Sequence, residues 1–453
     1  MPPTLSPPEA KNIDSYLAHW ERLEEIEASR RPRWLHSIRQ AGIAHFAEVG
    51  LPTTRDEEWR FTNLVPLARL PFNPLLSRER HGLTLAGIAP FCLPDLRCRR
   101  LVFVDGHFAA SLSSLETNGD GVKVGSLAQA IDTDAGVLEQ HLATYAHPGD
   151  NPFVALNTAF FRDGAFVGIG PESIVTEPIH LLHIATAPRA ATAAHIRHLI
   201  VAQRNCRVAV IESFVNWTEP AYVTNAVTEI MVGEGAVVEH YRIQNEGRNA
   251  FHIATVQARQ DRNSRLISHA ISVGSSLARH NIQSVLNGEG ADCLLNGLYC
   301  AAHSQLVDHH TVIDHAKPGG TSHEFYHGIL AGEARGVFNG KILVRRDAQK
   351  TDAKQTNRNL LLSEHAMVNT KPQLEIFADD VKCTHGATVG QLDDEALFYL
   401  QSRGIDRDAA GRMLVRAFAE QIIDRLNIPA VRRYVQHLIF DEWQTAPLIH
   451  PAP

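Results

Sequence analysis

With 453 residues, 44% of them hydrophobic and 21% charged, the chain has room for two or three domains, or for one large β domain with appendages. Its net charge of −7 argues against a general nucleic-acid binder, which would carry a basic stripe. No apolar run approaches the roughly 18 residues of a membrane helix, so no membrane span is expected.

The opening, Met1-Pro2-Pro3-Thr4-Leu5-Ser6-Pro7-Pro8, has neither the basic start nor the apolar core of a signal peptide, and residues 1–12 are expected to fray. From Asp14 the pattern turns helical, with a stripe of Tyr16, Leu17, Trp20, Leu23, Glu24 and Ile26. Pro32 suits the first turn of a second helix that runs toward Val49, with Gly50 as its stop. The segment around Glu57-Glu58-Trp59-Arg60-Phe61-Thr62 reads as a structured connector in which Trp59 and Phe61 pack while the charges stay wet. Residues 65–100 are irregular and rich in proline, leucine and arginine. A strand from Leu101 to Val104 and a helix from Ser126 to Thr144 close this region.

From about Asn151 to Gly390 short alternating runs dominate, among them Thr228–Val232, Ala236–Ile243, Leu266–Val273 and Val337–Val344. Loose echoes such as Val232-Gly233-Glu234-Gly235-Ala236 and Asn287-Gly288-Glu289-Gly290-Ala291 hint at a solenoid of variable rungs. The Asn-Gly pairs at 287–288, 296–297 and 339–340 favour hairpins instead, so pattern alone leaves a solenoid and an antiparallel sandwich both open. Eight histidines lie between His269 and His327; with no ligand spacing among them, packing is the better expectation.

Toward the end of the β region, Val381, Cys383 and His385 fall on one strand face, with Lys382 and Thr384 on the other. The first face is therefore expected to point inward or toward a partner. A thiol and an imidazole two residues apart stand ~7 Å apart at the backbone, so both can reach one metal ion or one interface. Packing is the competing reading, because free cysteine is among the most buried residue types and two donors do not close a metal site. The six cysteines (Cys92, Cys98, Cys206, Cys293, Cys300 and Cys383) form no C-x-x-C pair, which fits a reducing cytoplasm.

After Gly390 the chain is helical again. Asp393 and Asp394 cap a helix that stops at Gly404. Asp406 opens a second, with the stripe Ala410, Met413, Leu414, Ala417, Phe418 and Ile422, and Pro429 begins a third. These helices are expected either to cover the open rung of a solenoid or to present an apolar face to another protein. No G-x-x-x-x-G-K-[ST] loop and no G-x-G-x-x-G fingerprint occurs, so neither an ATP cradle nor a dinucleotide site is expected.

The run Lys382-Cys383-Thr384-His385-Gly386-Ala387-Thr388-Val389-Gly390, with Phe398-Tyr399-Leu400-Gln401-Ser402-Arg403-Gly404-Ile405, resembles the SufB/SufD family of the Suf iron–sulfur assembly system. Glu57 to Thr62 and Asn151-Pro152-Phe153-Val154-Ala155-Leu156-Asn157 extend the similarity over all three regions. Gly386 and Ala366 stand where SufB-like chains carry glutamate and cysteine, and the Cys-rich N-terminal motif often seen in SufB is missing, so the resemblance is to the SufD side. It implies a mainly β chain: a right-handed parallel β-helix core (151–390) between an N-terminal helical domain (1–150) and a C-terminal helical domain (391–453). It further implies a non-enzymatic scaffold that pairs through the β-helix with a SufB paralogue, or with a second copy of itself in isolation. The ATPase SufC would dock on the C-terminal helices, at Phe398, Tyr399, Arg403 and Gly404. His385, with Cys383 beside it, would lie at the SufB interface and meet iron or a transient Fe–S cluster there. A flavin on the complex is compatible with the resemblance, with no site legible in this chain. A β-helix enzyme acting on polysaccharides, with Asp308, Asp314 and Glu324 along a groove, and a metal-free interaction module are the competing readings.

Overall fold

The computed structural model describes residues 13–27, 32–78, 81–115, 121–189 and 191–443; the proline-rich opening at 1–12 lies outside them. The chain is mainly β: a parallel β-solenoid of about seven turns, with helices before and after it. Successive strands alternate between two ten-stranded sheets. The first sheet steps through Thr192–Ala202, Tyr222–Val232, Ala250–Gln260, Leu277–Leu286, Leu306–His315 and Arg335–Val344 to Met367–Ile376. The second steps through Arg207–Asn216, Val237–Asn245, Arg265–Ser272, Asp292–Ala301, Thr321–Leu330 and Asp352–Leu361 to Lys382–Gly390. All these neighbours pair in parallel, so residues about 30 apart in sequence stack in register, as His240, Ser268, Leu295, Glu324, Gln355 and His385 do.

Parallel pairing overturns the hairpin expectation from the Asn-Gly pairs. Asn296-Gly297 and Asn339-Gly340 lie inside strands. Their glycines serve the lumen: a Cβ on Gly297 would collide with the buried Tyr326 ring, and one on Gly340 with the Gln355 amide. The tight space of a two-sheet solenoid selects glycine there, not turn geometry.

The lumen is apolar toward one edge, with Val210, Ile230, Val238, Val256, Leu266, Ile282 and Ile313 in one core. Alongside runs a stack of rings: Phe103, His183, Phe214, His252, His280, His309, Tyr326 and Phe338, with successive centroids 4.7–5.4 Å apart. Closely packed aromatic rings are a good filling for such a column, in stacked, tilted and edge-on contacts. Burial holds His309 at about 3 and His198 at about 4, so both are neutral. Of the eight histidines from His269 to His327, six are buried, His323 is half-buried and His303 exposed.

Helices Ile13–Glu27 and Arg33–Val49 begin the chain, the second starting after Pro32 and ending at Gly50 with φ of 64°. The long helix expected from Ser126 to Thr144 is two, Leu127–Thr133 and Ala135–His141, broken at Asp134. Asn151 caps a further helix, Pro152–Phe160, which packs against the first sheet and precedes the solenoid proper. Strands Arg99–Val104 and Val122–Ser126 extend the two sheets backwards.

At the other end nothing covers the last rung among the described residues. Helices Arg407–Ile423 and Pro429–His437 lie on the outer face of the second sheet, where Val415, Ala419, Ile422, Val431 and Val435 pack on Ile211, Tyr241, Ile271, Leu298 and Ile329. The stripe read from sequence is shifted: Val415 and Ala419 face in, while Met413 and Ala417 face out. The expectation that these helices cover the open rung is thus corrected, because their apolar faces are taken up along the side of the solenoid.

Candidate functional site

The open end is made by two edge strands, Met367–Ile376 and Lys382–Gly390. The second pairs on one side only, with Asp352–Leu361, which sets Cys383 beside Ala353 and His385 beside Gln355. Ala353 and Gln355 face the lumen, so Cys383 and His385 do too. Val381 and Cys383 are partly covered, resting on Ile342, Val344, Ala348, Ala353 and Ala378. Burial raises the Cys383 thiol, and the Asp352 charge adds to the shift.

His385 is exposed, as are Ala387 and Val389 beyond it on the same face. The three residues thus share the inward face, with Val381 and Cys383 partly covered and His385 exposed. Alternation tells which face points into the lumen; it does not tell whether another rung lies above. Gly386 has no atom within 4 Å of where a Cβ would stand, so sterics do not demand glycine there. Among the described residues no group of three or more His, Cys, Asp or Glu is arranged to hold a metal ion. Cys383 and His385 offer two donors and an open side.

The C-terminal residues singled out above come together in one place. Asp393 accepts from the backbone of Glu395 and Ala396 and caps helix Asp394–Ser402. Only Leu397 of this helix is buried; Phe398 is 73% and Tyr399 58% exposed. The Arg403 guanidinium stands over the Tyr399 ring at 5.3 Å, and Gly404 ends the helix with φ of 86°. Two large rings left in water on a helix that buries one residue form an apolar surface without a partner among the described residues.

The connector at 53–64 has a role that sequence reasoning missed. It lies as a strap on the outer face of the first sheet. Trp59 is buried, with Arg279 stacked over it at 3.8 Å, while Phe61, expected to pack, is exposed. Arg279 donates to the Glu58 carbonyl at 2.8 Å and to Asp308 at 2.7 Å. Thr62 donates to Asp308, and His310 bridges Asp308 and Glu58 at 3.0 and 3.2 Å. Burial alone would raise the Asp308 carboxyl, and Arg279, His310 and Thr62 more than offset it, so it stays ionised. Glu57 reaches Lys371 on the open-end strand at 2.7 Å. The charges of the connector are therefore partly paired rather than simply wet. The one signal for this was Asp308 and His310 sharing an outward face.

The three carboxylates imagined along a catalytic groove do not meet. Asp308 lies under the strap, Asp314 pairs with Arg345 at 2.6 Å, and Glu324 faces the lumen from the other sheet.

Family comparison places this architecture. The family model described as "SUF system FeS cluster assembly, SufBD core domain" matches residues 183–418, and that of the "SufBD protein N-terminal region" matches residues 10–181. The chain belongs to the SufBD family. An iron–sulfur cluster assembly SufBD family protein of Synechocystis is 35% identical over 405 residues, covering 87% of this chain and 88% of the relative. The iron–sulfur cluster assembly protein SufD of Escherichia coli is 32% identical over 430 residues, covering 94% and 96%. SufD of Bacillus subtilis is 25% identical over 423 residues, covering 91% and 95%. As a SufBD protein the chain is a component of iron–sulfur cluster assembly, and no helix among its described residues is long and apolar enough to cross a membrane. For such cargo a thiolate and an imidazole are suitable donors, and a site with only these two needs others from elsewhere.

Proposed function

We propose that this SufBD protein is the SufD-type scaffold of a Suf complex, without catalytic activity of its own, acting in the cytoplasm. Its open rung pairs with the matching rung of a SufB-type paralogue, and in isolation with a second copy of itself. The pairing brings His385 and Cys383 to a site shared between two chains, where iron or a nascent Fe–S cluster is the cargo. The SufC-type ATPase docks on the C-terminal helical domain through Phe398, Tyr399, Arg403 and Gly404. A flavin on the assembled complex is compatible with this scheme, at a site apart from His385, Cys383 and the C-terminal helices.

One observation carries the reading: the solenoid ends in two bare edge strands, with His385 exposed on the lumen side of the last rung. Exposed edges are normally blunted or covered, because their unpaired backbone groups recruit other strands. An uncovered end with exposed Met367, Phe377 and Val389 is suited to another solenoid end.

The test is the His385→Ala variant of the assembled complex, with Cys383→Ala beside it. Because His385 is exposed and makes no side-chain bond among the described residues, its removal should change stability by no more than about 0.5 kcal/mol. Partner binding should persist while iron–sulfur content collapses, and Cys383→Ala should do less harm. Normal cluster content in a stable His385→Ala complex would refute the metal role and leave a metal-free interaction module.

A further inference from the structure

Two rungs behind His385 lies a carboxyl that the scheme above does not use. Glu324 is fully buried on the inner face of its strand, in the column that continues through Gln355 to His385. Other buried carboxyls in the solenoid meet a basic side chain: Glu212 meets Arg242, Glu229 meets Arg197, Asp308 meets Arg279 and Glu246 meets His252. Glu324 has no ion pair among the described residues. Its Oε2 accepts from the Gln355 amide, its Oε1 has no hydrogen-bond partner among the described residues, and the Thr311 hydroxyl of the first sheet lies near enough to favour the ionised form slightly. The remaining titratable neighbours are Tyr326 on its own strand and Cys293 on the strand before, both neutral and both pushed up by burial. Gly340, across the lumen, leaves the room that the Gln355 side chain occupies.

A buried carboxyl without a cation costs less when protonated, and burial raises Glu324 to about 7. A lumen that needed only filling would hold a hydrophobic residue here, as the same column does at Leu295. Resting on the metal-binding reading of His385, we propose that Glu324 is the proton-exchanging group of the open rung. When His385 and Cys383 take up a divalent cation, the inner carboxyl releases its proton to solvent and balances part of the incoming charge.

The spacing makes the coupling strong enough to read. Two strand separations put the cation about 10 Å from Glu324. At an effective dielectric constant of about 20, a dication at that distance lowers a carboxyl by about two pH units. At pH 6.5 Glu324 then goes from mostly protonated to ionised and releases about 0.7 of a proton.

The experiment is calorimetric titration of Co2+ into the full chain, alone and with its SufB-type partner. Run at pH 6.5 in buffers of different ionisation enthalpy, it counts the protons released. The wild type should release about 0.7 proton more than Glu324→Gln; the thiol proton of Cys383 leaves in both and cancels. In the wild type the infrared carbonyl band of a protonated carboxyl should fade on Co2+ addition, a readout that needs no variant. Equal proton release in the two proteins, or a carbonyl band indifferent to Co2+, overturns the proposal and leaves the metal site standing. Co2+ uptake that is absent from the wild type, or unchanged in His385→Ala, overturns the metal-binding reading and this proposal with it.

Discussion

Acidification should unfold this protein earlier than its carboxylates alone would allow, because its interior is filled with neutral histidines. His180, His195 and His309 are held at about 3, and His198, His315 and His327 at about 4, each mainly by burial. In the unfolded chain all six return to about 6.5. A histidine whose folded pKa is depressed adds stability that is present above the unfolded pKa and lost as pH falls toward the folded one. Between pH 7 and pH 5 each therefore gives up about 1.8 kcal/mol, a figure that depends only on the folded pKa lying well below 5. Six groups come to about 11 kcal/mol, set against a typical total stability of about 5–15 kcal/mol. Glu324, raised to about 7, works the other way: its stabilisation is lost as pH rises through 7, so acidification returns about 2 kcal/mol. Guanidinium titrations followed by tryptophan fluorescence at pH 7.5, 6.5, 5.5 and 5.0 measure the slope. The midpoint should fall steeply below pH 6.5, with the native state marginal near pH 5. A midpoint unchanged from pH 7.5 to pH 5 would show that these six histidines are charged or solvated in the folded state, and the reasoning from their burial would be wrong.

Gly297→Ala should cost about 1–3 kcal/mol, because the new methyl meets the fully buried Tyr326 ring; Gly386→Ala, in open space, should stay within about 0.5 kcal/mol. Equal melting temperatures for the two variants would contradict the lumen packing. Asp308→Asn leaves the Arg279 charge buried without its partner and should cost about 3–5 kcal/mol in urea unfolding; a loss under about 1 kcal/mol would mean that the strap is not anchored there. A Phe398→Ser, Tyr399→Ser double variant should lose binding to the SufC-type ATPase in a pull-down while its melting temperature stays put, since both rings are exposed. Full retention would move the docking surface elsewhere.

How far the sequence reached depended on the range of the interactions. Helix ends were legible at Pro32, Gly50, Asp393, Asp406 and Pro429 because capping and backbone restriction act within a few residues. Alternation correctly put Cys383 and His385 on the lumen face. It failed where the deciding neighbour is distant in sequence. Asn-Gly in strand interiors looks like a turn until Tyr326 and Gln355 are seen to need the space, and Trp59 rather than Phe61 is buried because Arg279 arrives from 220 residues away. Met413 and Ala417 were read as buried because periodicity locates a stripe only to within a helix face, whereas the second sheet selects Val415 and Ala419.

By itself, then, the sequence determined which residues are inward and which motifs lie where: a thiol and an imidazole on one face of the last strand, a capped helix carrying two aromatic rings, and no phosphate cradle. The tertiary structure alone decided their surroundings. Parallel stacking at intervals of about 30 residues builds the ring column and sets Glu324, Gln355 and His385 in one line. Placement of the C-terminal helices along the side of the second sheet leaves the last rung bare. The physical reason is that strand periodicity encodes direction relative to the sheet, while exposure depends on what lies on the next rung, and beyond His385 the described residues supply none.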